Sequence, residues 1–337
     1  MKQLFNRALL FTDLHYGAKS NSSLHNEDCF SFIQWIIKIG QEYECDTCIF
    51  LGDYHNNRST MNLKTMHYAV QSLELISQNF QKTFFILGNH DLFFKDRRDI
   101  HSAPWAKHIP NINIIYEPTR IGDVTFCPWL VGEEWRSMAK RKGQYIFGHF
   151  ELPHFYMNAM IQMPDYGEIQ LETFKNFQMG FSGHFHKRQN QANMYYIGNA
   201  FPHNYADAWD DNRGIAILEW DKLPFYISWP DQPTFRTLKL SQLIDNADTI
   251  IKPNQYLRVL LDIDISFEEA NFIKETFMTN YAIRELTLIA EKKNLDQELD
   301  IEVQTFESVD QLVLEGLTNI ESETFDNKML MELYNNL

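Results

Sequence analysis

Three times in the first ninety residues a short apolar run ends on a cluster of small and polar residues. Ala8-Leu9-Leu10-Phe11-Thr12 runs into Asp13, residues 47–51 run into Gly52-Asp53, and residues 83–87 run into Gly88-Asn89-His90-Asp91. Amphipathic stretches separate the runs. Residues 26–43 carry apolar side chains at Phe30, Ile33, Ile36 and Ile37, a helical spacing, and residues 60–79 follow the same pattern. Strands alternating with helices predict a largely parallel sheet. Ligands of such sheets gather beyond the carboxyl ends of the strands, which is where the polar clusters fall.

The second half is richer in strands, expected at 112–116, 124–128, 145–147, 177–181, 194–197 and 214–220. Two more clusters follow such runs, Gly148-His149 and Gly183-His184-Phe185-His186. A second sheet packed on the first accounts for them, so the expected class is α/β (α+β). Residues 224–240, with Pro224, Pro230 and Pro233, read as strand and linker. Beyond them come a strand at 256–264 and helices at 267–278 and 306–316. The chain divides on this reading into residues 1–235 and an acidic C-terminal accessory region, 236–337.

Composition narrows the setting. The formal net charge is −15, of which residues 235–337 supply −11. An acidic surface repels nucleic acid at long range, so any nucleic acid is expected to meet the first part. Four cysteines, including Cys45-x-x-Cys48 with no second such pair, read as buried free thiols of a reducing compartment. No leader and no span of about 18–20 apolar residues is seen, which predicts a cytoplasmic protein without membrane contact.

The five clusters collect three carboxylates, an amide and five of the twelve histidines. Asp13-x-His15 alone is weak, since a solvated loop explains it equally well. Together the clusters form the ligand mix that suits Mn, Fe or Zn better than Mg or Ca. Asp13, His15, Asp53, Asn89, His149, His184 and His186 are too many for one tetrahedral ion and suit two ions that share a carboxylate.

In order, DxH, GD, GNHD, GH and GHxH resemble the calcineurin-like metallophosphoesterases over about residues 6–220. The resemblance implies a four-layer sandwich of two mixed β-sheets flanked by helices. It implies a first metal held by Asp13, His15 and His186, a second held by Asn89, His149 and His184, and Asp53 as the bridge. It places His90 in transition-state stabilisation or leaving-group protonation. Asp91 joins His90 among the catalytic candidates, with a loop-fixing role as the alternative. Mn2+ is the expected metal, with Mg2+, Fe2+ or Zn2+ as alternatives.

Within that superfamily the chain resembles the Mre11/SbcD nuclease branch, and its compact phage-encoded members in particular. Gly88-Asn89-His90-Asp91, Pro128-Trp129, Gly148-His149-Phe150-Glu151-Leu152, and the run from Tyr196-Ile197-Gly198-Asn199 to Asp211-Asn212-Arg213-Gly214 carry this likeness. The branch implies a DNA nuclease, exo- or endonucleolytic, in end processing, recombination, repair or replication. It implies a Rad50/SbcC-like coiled-coil ATPase partner and a homodimer, and host cytoplasm for a phage protein. A phosphatase or phosphodiesterase acting on a non-DNA substrate is the alternative. The chain departs from the branch at Asn56, where the cellular nucleases carry histidine. Arg58, Lys95, Arg97, Arg98, Arg136, Lys140, Arg141, Lys142, Lys187 and Arg188 are candidates for a DNA track. Phe272, Ile273, Phe277, Val309, Leu312 and Leu314 are candidate partner anchors.

Overall fold

The computed structural model describes residues 3–158, 161–167 and 169–290. Among these residues, fifteen strands form three sheets. The first sheet takes β1 (Arg7–Phe11), β2 (Thr47–Phe50), β3 (Lys82–Ile86), β4 (Ile112–Ile115), β11 (Gly214–Glu219) and β12 (Phe225–Ser228) in the order β12-β11-β1-β2-β3-β4. The second takes β5 (Thr119–Ile121), β6 (Val124–Cys127), β7 (Gly143–His149), β8 (Phe177–Gly183), β9 (Gln189–Gln191) and β10 (Met194–Tyr196) in the order β5-β6-β7-β8-β10-β9. Both are mixed. β1 to β4 are mutually parallel, as are β6, β7, β8 and β10, while β11 runs antiparallel to β1.

Side-chain alternation explains the layering. Along β1, Ala8 and Leu10 point between the sheets, where they join Ile49, Phe84, Ile86, Phe126, Phe147 and Phe181. Phe84 stacks on Phe126 with ring centroids 4.3 Å apart, and Phe126 on Phe147 at 5.5 Å. Leu9 and Phe11 point the other way, with Cys48, Phe50 and Phe85, onto helices Ser23–Glu42 and Leu63–Asn79. Those helices begin where their caps dictate. Ser22 accepts from the His25 N–H, and Asn62 accepts from Lys64 and Thr65. Short helical turns at Trp135–Met138 and Leu171–Phe174 flank the outer face of the second sheet. The fold is the expected sandwich of two mixed sheets between helical layers.

β13 (Thr234–Lys239), β14 (Gln255–Leu261) and β15 (Glu285–Ala290) form a parallel third sheet, and helix Phe267–Asn280 crosses between the last two. This sheet is tied to the first helix. Arg284 holds the Asp28 carboxylate with both Nη atoms, at 2.5 and 2.8 Å. The Lys19 ammonium lies 3.9 Å from the Tyr256 ring centroid. The chain divides into a unit Met1–Glu291 and a unit Lys292–Leu337. The expected helix at 306–316, with Val309, Leu312 and Leu314, lies outside the described residues. Among the described residues no helix is long and apolar enough to cross a membrane. All four cysteines are buried and unbridged.

Candidate metal centre

Each cluster predicted from sequence sits at or just past the carboxyl end of a strand, and the sheets bring those ends together. Four of the residues there adopt left-handed backbone that non-glycine residues rarely take: Asp13 (φ 53°), His15 (φ 52°), Asp53 (φ 60°) and His184 (φ 85°). Such strain concentrates where surrounding structure forces side chains to converge.

Asp13 follows β1. Its Oδ2 accepts from Thr12 Oγ1 at 2.6 Å and from the His184 N–H at 3.1 Å. Its Oδ1 is buried without a hydrogen-bond partner, 3.6 Å from His15 Nε2 and 3.9 Å from His186 Nε2. Asp53 follows β2. Its Oδ1 accepts from the His90 N–H at 2.8 Å. Its Oδ2 lies 3.7 Å from His15 Nε2 and 3.4 Å from His149 Nε2. Asn89 Oδ1 is 3.0 Å from His149 Nε2 and 3.0 Å from His184 Nδ1. The seven side chains thus fall into two groups that meet at the Asp53 carboxylate.

The electrostatics show a place for cations. Burial alone would raise Asp53, but His149, His90 and His15 override it and hold the carboxyl well below its usual range. Burial would lower His149, yet Asp53 and Asp13 lift it to about 9. Two buried carboxylates therefore draw positive charge onto an imidazole, and a divalent ion would supply that charge instead. The unpartnered Asp13 Oδ1 and both unpartnered nitrogens of His15 are further donors suited to an ion.

His90 lies beside both groups, its ring 4.8 Å from that of His15. Its Nδ1–H donates to the Asn56 carbonyl at 2.8 Å, which leaves Nε2 as the other functional nitrogen. Burial pulls the ring down to about 4. Asp91 has a different environment. Its carboxylate accepts from the backbone N–H groups of Gly88, Asp53, Tyr54 and His55, and from Ser102 Oγ. It ties the loop after β2 to the loop after β3, the loop-fixing alternative. Burial, reinforced by Asp53, raises it to about 6.

Three neighbours carry no sequence signal as plain as a strand-end glycine pair. Glu151 accepts from His184 Nε2 at 3.2 Å and so orients that ring. Asp207, 4.0 Å from His186 Nδ1, is held by Arg213 at 3.3 Å. His203 groups with His15 and His186. It follows β10 and Gly198-Asn199, so the same strand-then-glycine rule would have reached it across a longer loop.

Of the ten basic candidates, Arg97 and Arg136 form ion pairs with the nearby Asp99 and Glu133, and Arg98 and Arg188 are held more deeply within the fold. Arg98 pairs with Glu134 and donates to the Tyr116 and Trp129 carbonyls. Arg188 donates to the Ile197 carbonyl and stacks on Tyr226, 4.4 Å from its centroid. Both are consumed by packing that sequence spacing does not reveal. Beside the metal loops, Tyr54 is buried in the core, with its hydroxyl donating to the Ala69 carbonyl.

A fold of two packed mixed sheets with a paired histidine–carboxylate centre at the strand ends defines a metal-dependent hydrolase of phosphoesters. The chain belongs to the calcineurin-like phosphoesterase family, whose pattern matches residues 7–188. It is similar to exonuclease subunit 1 of Enterobacteria phage T4, with 23% identity over 338 residues and 96% of each chain covered. Among solved structures it is similar to the Pseudomonas putida nuclease MPE, at 20% identity, 53% of this chain, 61% of that chain and a TM-score of 0.30. It is also similar to a dimetal phosphatase from Danio rerio, at 13% identity, 63% and 92% coverage and a TM-score of 0.37.

Proposed function

We propose that the chain is a two-metal DNA nuclease in which Asp13, His15 and His186 hold one ion, Asn89, His149 and His184 hold the other, and Asp53 bridges. The observation that carries this reading is the Asp53 Oδ2 atom, placed between His15 Nε2 at 3.7 Å and His149 Nε2 at 3.4 Å. A pair of divalent ions, Mn2+ first among the candidates, would lower the pKa of water and neutralise charge on the phosphoryl oxygens. The protein's own groups do the rest. His90, whose ring burial pulls below its usual range, would gain an anionic neighbour when a phosphodiester binds, which favours the imidazolium that donates to phosphoryl or leaving oxygen. Asp91 holds the two loops that carry Asp53 and His90. Arg58, half-buried within electrostatic reach of Asp53 and His90, has no hydrogen-bond or ion-pair partner among the described residues and is suited to a backbone phosphate.

DNA as substrate is supported by the name of the phage relative, an exonuclease subunit. The same name supports work within an assembly, for which a Rad50/SbcC-like ATPase is the proposed partner in recombination and repair. A homodimer, a host-cytoplasmic location and a boundary at 235/236 rest on the branch resemblance and the sequence reading. Helix Phe267–Asn280 supports a docking role through Phe267 and Phe272, 76% and 69% exposed. Ile273 and Phe277 instead pack against the third sheet, because a two-faced helix spends one stripe on its own core.

The test is cleavage of end-labelled single- and double-stranded DNA with Mn2+, beside a p-nitrophenyl phosphoester. Mn2+-dependent DNA cleavage is expected, falling by about 10²–10⁴-fold in His90→Ala with Mn2+ affinity retained by calorimetry. Ester hydrolysis without DNA cleavage, in the presence and absence of the partner ATPase, would replace the nuclease reading with a phosphatase.

A further inference from the structure

The first group contains one imidazole more than the seven-ligand set uses. His203 is 6% exposed, and its ring lies 5.3 Å from those of His15, His186 and His25. One ring nitrogen from each of His15, His186 and His203 falls within 4.8 Å of the other two. The Nε2 of His203 is buried without a hydrogen-bond partner. A buried polar atom left unpaired costs about 1–3 kcal/mol, so its persistence beside two ligand candidates asks for a partner.

The loop is built to hold the ring there. The His203 N–H donates to Asp207 Oδ2 at 3.0 Å, and Asn199 Nδ2 donates to the same oxygen at 3.3 Å. Arg213 holds the other carboxylate oxygen at 3.3 Å. One carboxylate thus fixes the backbone of His203 and also faces His186. The neighbouring His25 has no such availability. Its Nε2 is engaged by the Leu14 and His15 carbonyls at 3.1 and 3.0 Å.

We propose that His203 is a further ligand of the first metal ion, beside Asp13, His15, His186 and the bridging Asp53. This rests on reading the first group as a metal site. It sets the chemistry of that site. Three imidazoles with two carboxylates favour borderline ions such as Mn2+, Fe2+, Co2+ or Zn2+, whereas Mg2+ prefers an oxygen shell. His203 would therefore be the residue that biases this site against Mg2+.

The experiment titrates full-length, metal-stripped protein with Co2+, followed by calorimetry and by visible absorption. Wild type is compared with His203→Phe, which keeps a ring in the packing but removes both nitrogens. The expected result is two ions bound by wild type, a loss of about 10–100-fold in affinity for one of them in the variant, and a shift in its absorption bands. The preference for Co2+ over Mg2+ at that site narrows. In wild type, 15N spectra of labelled histidine give a readout that needs no variant, since a His203 resonance that moves on Zn2+ addition marks a ligand nitrogen. Two ions bound with unchanged affinity and spectrum in the variant, or a His203 resonance indifferent to Zn2+, overturns the proposal and leaves the metal centre standing. A wild type that binds no Co2+ overturns both.

Discussion

Single side chains in this centre divide into those placed to face an ion and those that aim them. Glu151 belongs to the second kind, because its contact is to the far nitrogen of His184. Glu151→Gln removes the charge that steadies that ring, and a drop of about 10–100-fold in metal affinity is expected, measured by calorimetry against an unchanged fold by circular dichroism. Buried neutral histidines give a second residue-scale prediction. Burial pushes His25 down to about 4 and His55 down to about 3. The unfolded chain takes protons near pH 6.5 while the folded chain does not, so stability falls as pH drops from about 6.5 toward 4. Urea unfolding at about pH 7 and about pH 5 should show this loss, and His25→Gln should reduce the slope, by up to about 1.4 kcal/mol per pH unit. The seven ligand candidates were legible because each stands beside a strand end, usually with a glycine. Glu151 and Asp207 were not, since their roles arise from loops folding back over tens of residues, and His203 required the same strand-end rule to be carried across a longer loop.

At the scale of elements, the strand-end glycines are where the backbone must come close. A Cβ on Gly88 would overlap the Asp53 carboxylate and its amide nitrogen. Gly88→Ala must therefore push the β3 loop off the β2 loop. A destabilisation of about 1–3 kcal/mol is expected, read by urea unfolding, together with weakened binding of both ions because Asp53 serves both groups. Most strands were readable from apolar runs, with β5, β9 and β15 the exceptions, and the two long helices from their periodicity. Both helices begin within a few residues of their expected starts, Ser23 and Leu63 against 26 and 60. What periodicity could not supply was partner choice. Nothing in the text of β9 and β10 says that β10 lies parallel to β8 with β9 outside it, because strand order is set by packing between segments far apart in the chain. The fate of Ile273 and Phe277 is the same lesson, since an apolar stripe does not name the surface it covers.

At the scale of the molecule, the ligand candidates come from both sheets. Asp13, Asp53 and Asn89 hang from the first, and His149, His184 and His186 from the second. Ions held among them act across the seam between the layers. Binding to the folded state alone adds about 2.7 kcal/mol per ion at a free concentration about 100-fold above Kd. Chelation with EDTA is therefore expected to lower the melting temperature by several degrees, as followed by differential scanning calorimetry. Because the seam also holds one of the hydrophobic core clusters, a chain short of metal would be the same chain with a looser join, and proteases sample loosened joins. Supply of the ion would then govern how many copies survive as well as how fast each one works, so that scarcity of metal is felt as scarcity of protein.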